Sequence, residues 1–532
     1  MKVFTVFLVL VFMITGYLFA VQNQHITTEP DIGIQIRYSE ANVQKVIDPS
    51  FTINSKDDRV ELIWQMADGI AIAGDACVSS TTMNSFVDWY LNYERVSLYN
   101  NSTTPLWESF YVNENSFGSP IDMTEDGSVM AMADDFILKI FTPSTSTPTW
   151  NRTVDFTING VVLNPEGSKV YIMYTDYDQS ISFVECYSIG DSIPEWSINF
   201  ESSSSTLSIS GDGSTLVFTQ YYNHMWVLDA DDGSIIFDGP NKNQNPPAIS
   251  YDGSVIVNGD YYGYVYVYEY NETLDTYDEL WNYHVDGGGT SNWIGGMGIS
   301  KDGSTIAIGT LSFVTGGYNG QLYVFNSYSP IPLWIYDDMG DYVIDVDLTD
   351  DGSLIAVASW GPVDNSTSDF FLFNRESEIP IFEINTMGSL ECVDMAGDGF
   401  ICTTGGKAVH ERVSGSGGFL YCINCDPLDI EESATPLTTK IGNNFPNPFS
   451  GSTTFSFSGN FNRHDYYQVS IYNVKGELVK DLSPQSLLAD TIQIEWNGKD
   501  DCNHKVNSGL YFYTLKINGK TEVIEKCLLV NH

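Results

Sequence analysis

The chain has 532 residues and a formal net charge of −46, from 69 acidic against 23 basic residues. Such a surface repels phosphate backbones and anionic lipid, which argues against nucleic acid and membrane surfaces as partners. With 32 Tyr, 29 Phe and 11 Trp and few amphipathic helical patterns, the composition is that of an all-β protein long enough for two domains.

Residues 1–20 read as a secretory signal peptide: Lys2, an apolar run over 3–19, and the small Ala20 before a polar stretch. Nothing later is long and apolar enough to span a membrane. Residues 21–57 form a polar lead-in whose run 32–38 is a candidate ring-closing strand.

From 58 to 425 one segment recurs. Its clearest copy is Ile299-Ser300-Lys301-Asp302-Gly303-Ser304-Thr305-Ile306-Ala307. The same Asp-Gly pair stands at Asp126-Gly127, Asp212-Gly213, Asp252-Gly253 and Asp351-Gly352, with variants at Glu166-Gly167 and Asp398-Gly399. Asp-Gly between apolar, β-prone runs signals a hairpin: Gly accepts the positive φ that a tight turn demands, and Asp tolerates it or bonds its own backbone. The turns follow at steps of roughly 40 to 50 residues, the period of a four-stranded propeller blade. A second hairpin in each unit ends on an aromatic, as at Trp150, Trp196, Phe237, Trp281, Trp334 and Phe382. Eight such units predict an eight-bladed β-propeller, or a seven-bladed one if the first unit, with strands over 60–65 and 70–76, a Tyr-rich hairpin around 86–99 and a last strand at 105–107, is a lead-in. The last unit, from Ser389, runs out before a fourth strand, which N-terminal closure would supply.

The 299–307 segment resembles the inner hairpin of WD-repeat and TolB-like propellers. Trp226-Val227-Leu228-Asp229-Ala230-Asp231-Asp232-Gly233 resembles the outer hairpin of the pyrroloquinoline-quinone-like family. These resemblances cover about 60–424 and imply a fold, not a function. Catalytic quinone enzymes of that family carry adjacent cysteines at the cofactor, and this chain has no Cys-Cys.

Eight cysteines in an exported chain invite disulfides. Cys392 and Cys402 flank the turn at Gly397-Asp398-Gly399 and are a candidate bridge. Cys422-Ile423-Asn424-Cys425 is a lone C-x-x-C, readable as a local disulfide, two unrelated thiols, or a redox or metal site. Cys502 and Cys527 are a further candidate pair.

Residues 426–440 read as an acidic linker, and 441–532 as a compact β domain. Its strands are expected near 453–457, 467–474, 492–496, 509–517 and 523–530, with both prolines of Asn444-Phe445-Pro446-Asn447-Pro448-Phe449 before or at the start of the first. That motif, 469–479 (Val-Ser-Ile-Tyr-Asn-Val-Lys-Gly-Glu-Leu-Val), Trp496-Asn497-Gly498-Lys499-Asp500 and Ser508-Gly509-Leu510-Tyr511 resemble, in order and spacing, the type A sorting domain of the type IX secretion system. This is an immunoglobulin-like β-sandwich of Bacteroidetes-like bacteria. The departure is Cys502-Asn503-His504, where members more often carry glycine. The resemblance implies an address: the signal peptide carries the chain across the inner membrane, the sorting domain across the outer, after which the domain is usually removed. The partner it implies is the type IX machinery, and the location the outer surface or medium of a Gram-negative-type cell. The alternative is a permanent binding domain.

No catalytic constellation is readable. His410-Glu411 lacks the second histidine of H-E-x-x-H, and the seven histidines read as surface residues. Asp229-Ala230-Asp231-Asp232-Gly233 does not fit a calcium loop; calcium is admitted by the acidity, but no ligand set is placed. No cofactor is expected. Carboxylates from different blades can meet at a central channel without being close in sequence. The loops most able to build a site are 79–84, 261–263, 285–293 and 312–319, whose Tyr and Trp would stack on sugars or peptides, or pack between blades. The expectation is a monomeric, non-catalytic binding or scaffold module for an extracellular protein or glycan; the alternative is an extracellular hydrolase or lyase with its site in the channel.

Overall fold

The repeated turns share one geometry. In the computed structural model, the hydroxyls of Thr124, Ser210, Ser250, Ser300 and Thr349 donate to the Asp two residues on, at 2.6–3.0 Å. The same hydroxyls accept the backbone N–H five residues on, at 3.0–3.1 Å. Each Asp also accepts the N–H of the following Ser at 2.9–3.0 Å. In these five turns the glycine, Gly127, Gly213, Gly253, Gly303 or Gly352, takes positive φ, between 66° and 75°, and the Asp before it does not. The Asp therefore serves as an acceptor and does not share the left-handed conformation.

The structure describes residues 52–425 apart from 58–59, 69–70, 91–93, 101, 112–117, 203, 221–223, 241–246, 290, 387, 414 and 416, and residues 440–530 apart from 459–466, 474–477, 483–486, 489–490, 501–503 and 518–519. Two units divide the chain, Met1–Pro427 and Leu428–His532. The signal-peptide reading and the 32–38 strand lie outside the described residues.

The first unit is a propeller of antiparallel sheets, eight among the described residues, numbered here in chain order by their first strands. These are Ile72–Val78, Ile121–Met123, Ile158–Leu163, Ser204–Ile209, Ala248–Ile249, Asn292–Ile299, Val343–Leu348 and Leu390–Met395. In each sheet the chain runs through successive neighbours, and in sheets 2, 4, 5, 6 and 7 the turns just described join the first strand to the second. Apolar side chains meet between consecutive sheets. Val257 and Val267 of sheet 5, for instance, pack with Ile306, Ile308 and Phe325 of sheet 6. Ala73 and Trp89 of sheet 1 pack with Trp64, Cys392, Leu420 and Cys422 of sheet 8, which joins the last sheet to the first.

The strand that completes sheet 8 is Glu61–Asp68, paired antiparallel with Gly418–Asn424. The sequence reading placed that segment in the first unit; it belongs to the last. An N-terminal strand does close the ring, with no need of the 32–38 run for sheet 8. Thr52–Ser55 adds a fifth strand to sheet 7 through Phe382–Asn385.

The second unit is a β-sandwich. One sheet holds Lys440–Phe445, Thr453–Ser458, Thr491–Trp496 and Leu487–Leu488; the other holds Leu478–Leu482, Tyr467–Asn473, Gly509–Ile517 and Lys520–Leu529. The core contains Phe449, Phe455, Val469, Ile471, Trp496, Tyr513 and Leu515. A strand thus precedes Pro446 and Pro448, so the prolines stand between the first and second strands rather than ahead of the first.

Candidate functional site

First-strand aspartates fasten one sheet to the next. Asp122 Oδ2 accepts the Leu163 N–H at 2.5 Å, Asp345 Oδ2 that of Val393 at 2.9 Å, and Asp347 Oδ2 that of Met395 at 2.7 Å. Asp394 Oδ2 accepts the Val78 N–H, so a latch crosses the seam between last and first sheets. In the first three, Oδ1 accepts the N–H of the following residue at 2.8–3.0 Å. Burial pushes these carboxyls up, Asp122 and Asp347 to about 7 and Asp345 to about 6. Asp394 is raised well above the usual carboxylate range by burial and by Asp347. A lost hydration shell outweighs two backbone N–H donors.

A cavity of about 350 Å³ lies along these strands toward the Asp-Gly turns, with Asp122, Asp347 and Asp394 on one side and Ile209, Ile249 and Ile299 on the other. Lys301 stands at its mouth. Its ammonium donates to both Glu125 oxygens at 3.1 and 3.2 Å and to Asp350 Oδ2 at 3.2 Å, and lies 4.7 Å from the Tyr251 ring centroid. Glu125 belongs to sheet 2 and Lys301 to sheet 6, so the pair spans the opening.

The opposite end, where first strands begin and second strands finish, carries aromatic side chains from several sheets. Tyr261 meets Trp293 at 5.1 Å, Trp293 meets Phe313 at 4.8 Å, and Phe313 meets Tyr318 at 5.5 Å, all edge to face. The Arg412 guanidinium lies 3.4 Å from the Tyr318 centroid and 5.2 Å from that of Trp360, which meets Tyr342 at 5.1 Å. Asp341 holds Arg412 through both oxygens, at 2.6 and 2.8 Å. These residues come from the 261–263, 285–293 and 312–319 loops singled out in the sequence, joined by the 341–342, 360 and 412 regions, which carried no repeat signal. Tyr318 is 38 % exposed and Tyr262 66 %.

Below Arg412, Lys407 pairs with Glu411, and burial together with Glu411 raises the Glu391 carboxyl. His410 is buried, not superficial as the sequence reading had it. Its Nε2 donates to Gly361 O at 2.9 Å and its Nδ1 accepts the Arg412 N–H at 3.1 Å, so both nitrogens are bonded to backbone. Among the described residues no group of three or more His, Cys, Asp or Glu is arranged to hold a metal ion.

The proposed Cys392–Cys402 bridge is not made. Cys402 faces Met395 and Cys392 faces Gly405, because the hairpin turns one to two residues later than symmetric flanking assumed, and a bulge lies between Leu390 and Cys392. Cys422, in the strand Gly418–Asn424, and Cys425, just past its end, pack in different apolar clusters. Cys502 lies outside the described residues.

In the second unit Asn447 Oδ1 accepts the Leu528 N–H at 2.9 Å, and Phe449 exchanges backbone bonds with Leu528 and Val530 at 3.0 and 2.8 Å. Phe449 packs 5.4 Å from Trp496, which meets Tyr511 at 5.1 Å. Pro446, Asn447 and Pro448 are exposed. The motif thus has a buried anchor, Phe449, and a superficial face. Asn444 lies in the strand Lys440–Phe445. Gly509 opens its strand, and a Cβ there would meet nothing within 4 Å, so packing alone does not call for glycine.

No curated protein matches the chain. Among solved structures, hydrazine synthase of Kuenenia stuttgartiensis is similar over 57 % of this chain and 94 % of its own, at 13 % identity and a TM-score of 0.42. Among the described residues, no helix is long and apolar enough to cross a membrane. Residues 443–531 match the family described as "Secretion system C-terminal sorting domain". The C-terminal unit is therefore a type IX sorting domain, and the chain is exported to the cell surface or medium of a Bacteroidetes-type bacterium.

Proposed function

We propose that the chain is an exported binding module: residues 1–20 and the C-terminal unit deliver it, and the eight sheets act as an eight-bladed ring that holds an extracellular glycan or protein without transforming it. The observation that carries this reading is the partly exposed aromatic series from Tyr261 to Tyr342 around Arg412. Amphipathic rings and a guanidinium held by Asp341 suit sugar faces and carboxylate-bearing ligands at small entropic cost.

The channel carboxyls favour a second reading, a hydrolase, because several with raised pKa values converge. Their bonding weighs against it. Both oxygens of Asp122, Asp345 and Asp347 accept backbone N–H groups, which explains their placement without a reaction. The test is an array of cell-surface glycans and peptides probed with the full chain and with Trp293→Ala and Tyr318→Ala. Loss of signal by about tenfold, the scale of one aromatic contact, with the melting temperature kept, is the expected result. Undiminished binding by both variants removes this end of the ring as the site, and turnover of an array ligand selects the hydrolase.

A further inference from the structure

Strands Ile401–Lys407 and Gly418–Asn424 pair with Cys402 opposite Ile423. The Cys425 N–H donates to Phe400 O at 2.9 Å, which carries the same register two residues on. Cys402 and Cys425 are therefore diagonal neighbours on one face of sheet 8. Both belong to one apolar cluster, with Val60, Val393 and Ile423. Cys422 lies in the cluster on the other side and Cys392 bonds Gly405 O, so neither competes for the pair.

We infer that Cys402 and Cys425 close a disulfide in the exported protein. Such a bond requires neighbouring thiols on one face and an oxidising compartment; the strand register and the shared cluster supply the first and the sorting domain's route out of the cell the second. The bond would tie the second strand of sheet 8 to the end of the third, the strand that also receives Glu61–Asp68. It thus staples the ring at its seam, where the linker to the sorting domain departs. Two thiols lose two protons and two electrons, which pass to the disulfide of an oxidising thiol–disulfide oxidoreductase or an equivalent low-molecular-weight disulfide, leaving a dithiol. Burial and Cys425 hold the Cys402 thiol well above its usual range. Thiolate is the attacking species, so the bond forms before the sheet is buried, during export or folding.

The test uses the protein recovered from the surface and medium of its host, unfolded in denaturant with iodoacetamide and no reductant, then digested for peptide mass mapping. The expected result is one linked pair of peptides holding Cys402 and Cys425, split by reduction, with Cys422 and Cys186 alkylated. Alkylation of both Cys402 and Cys425, or linkage of either to a different cysteine, overturns the inference. A Cys402→Ala, Cys425→Ala chain provides a second readout. Its deficit in melting temperature against the parent is expected to shrink when both are refolded in reductant, and an unchanged deficit also overturns the inference.

Discussion

Two sets of aspartates in this protein carry opposite pH signs. Asp126 at a turn is held below the usual range by hydrogen bonds from Ser128 and Thr124, so its contribution to stability is present at neutral pH and lost as pH falls through the depressed value. The channel aspartates are raised by burial. Their contribution is fully present below about 4, the unfolded value, and is lost as pH rises through about 6 to 7. Thermal melts from mildly acid to mildly alkaline pH should therefore show stability falling across that window. Asp122→Asn and Asp347→Asn should each flatten the slope by up to about 1.4 kcal/mol per pH unit; parallel slopes for parent and variants would show that the carboxyls do not titrate there. The turn glycines separate two costs. A Cβ at Gly303 would come no nearer than 3.3 Å to Ser250, whereas at Gly352 it would meet Thr305 Oγ1 at 2.5 Å. Both Ala substitutions pay about 1–2 kcal/mol for positive φ, and denaturant titration should find Gly352→Ala the more damaging.

At the scale of elements, the aromatics that end the repeats work as inter-sheet anchors. Trp107, Trp196, Trp281 and Trp334 each donate the indole N–H to a carbonyl in the next sheet, at 3.1, 3.1, 2.6 and 2.6 Å, the acceptors being Pro143, Ala230, Ser327 and Arg375. Trp281→Phe keeps most of the packing and should cost about 1 kcal/mol for the lost bond; Trp281→Ala should cost about 3–5 kcal/mol. Equal losses in urea titration would mean the hydrogen bond contributes little. The hairpins were legible in sequence because their signal is local: a hydroxyl, an Asp and a Gly at fixed offsets. The closing strand was not, since Glu61–Asp68 alternates like any other strand and its partner, Gly418–Asn424, is more than 300 residues away. The channel latches were missed for a related reason. An Asp two residues before the repeat's first turn position occurs at Asp122, Asp347 and Asp394, a pattern visible once the turns are aligned, but what it bonds belongs to the neighbouring sheet. The aromatic end was half legible: three of its loops stood out by length and composition, while Trp360 and Arg412 come from segments with no repeat of their own.

For the whole molecule, export and ring closure are coupled through the order of the chain. The first unit needs residues 61–68 to complete the sheet from which the linker leaves, so a chain lacking residues 51–68 should lose the pairing along Gly418–Asn424. Amide exchange of that strand would then rise toward that of an exposed edge, and unchanged protection would show that closure does not depend on the N-terminal strand. The central claim is that the ring is the working part and both ends are addresses. It is tested most directly by the intact mass of the protein recovered from the host's surface and medium. The account predicts a chain without residues 1–20 whose new C-terminus falls between about 426 and 443, ahead of the sandwich core. A mass that runs through His532 would contradict it and make the C-terminal sandwich a permanent part of the working protein.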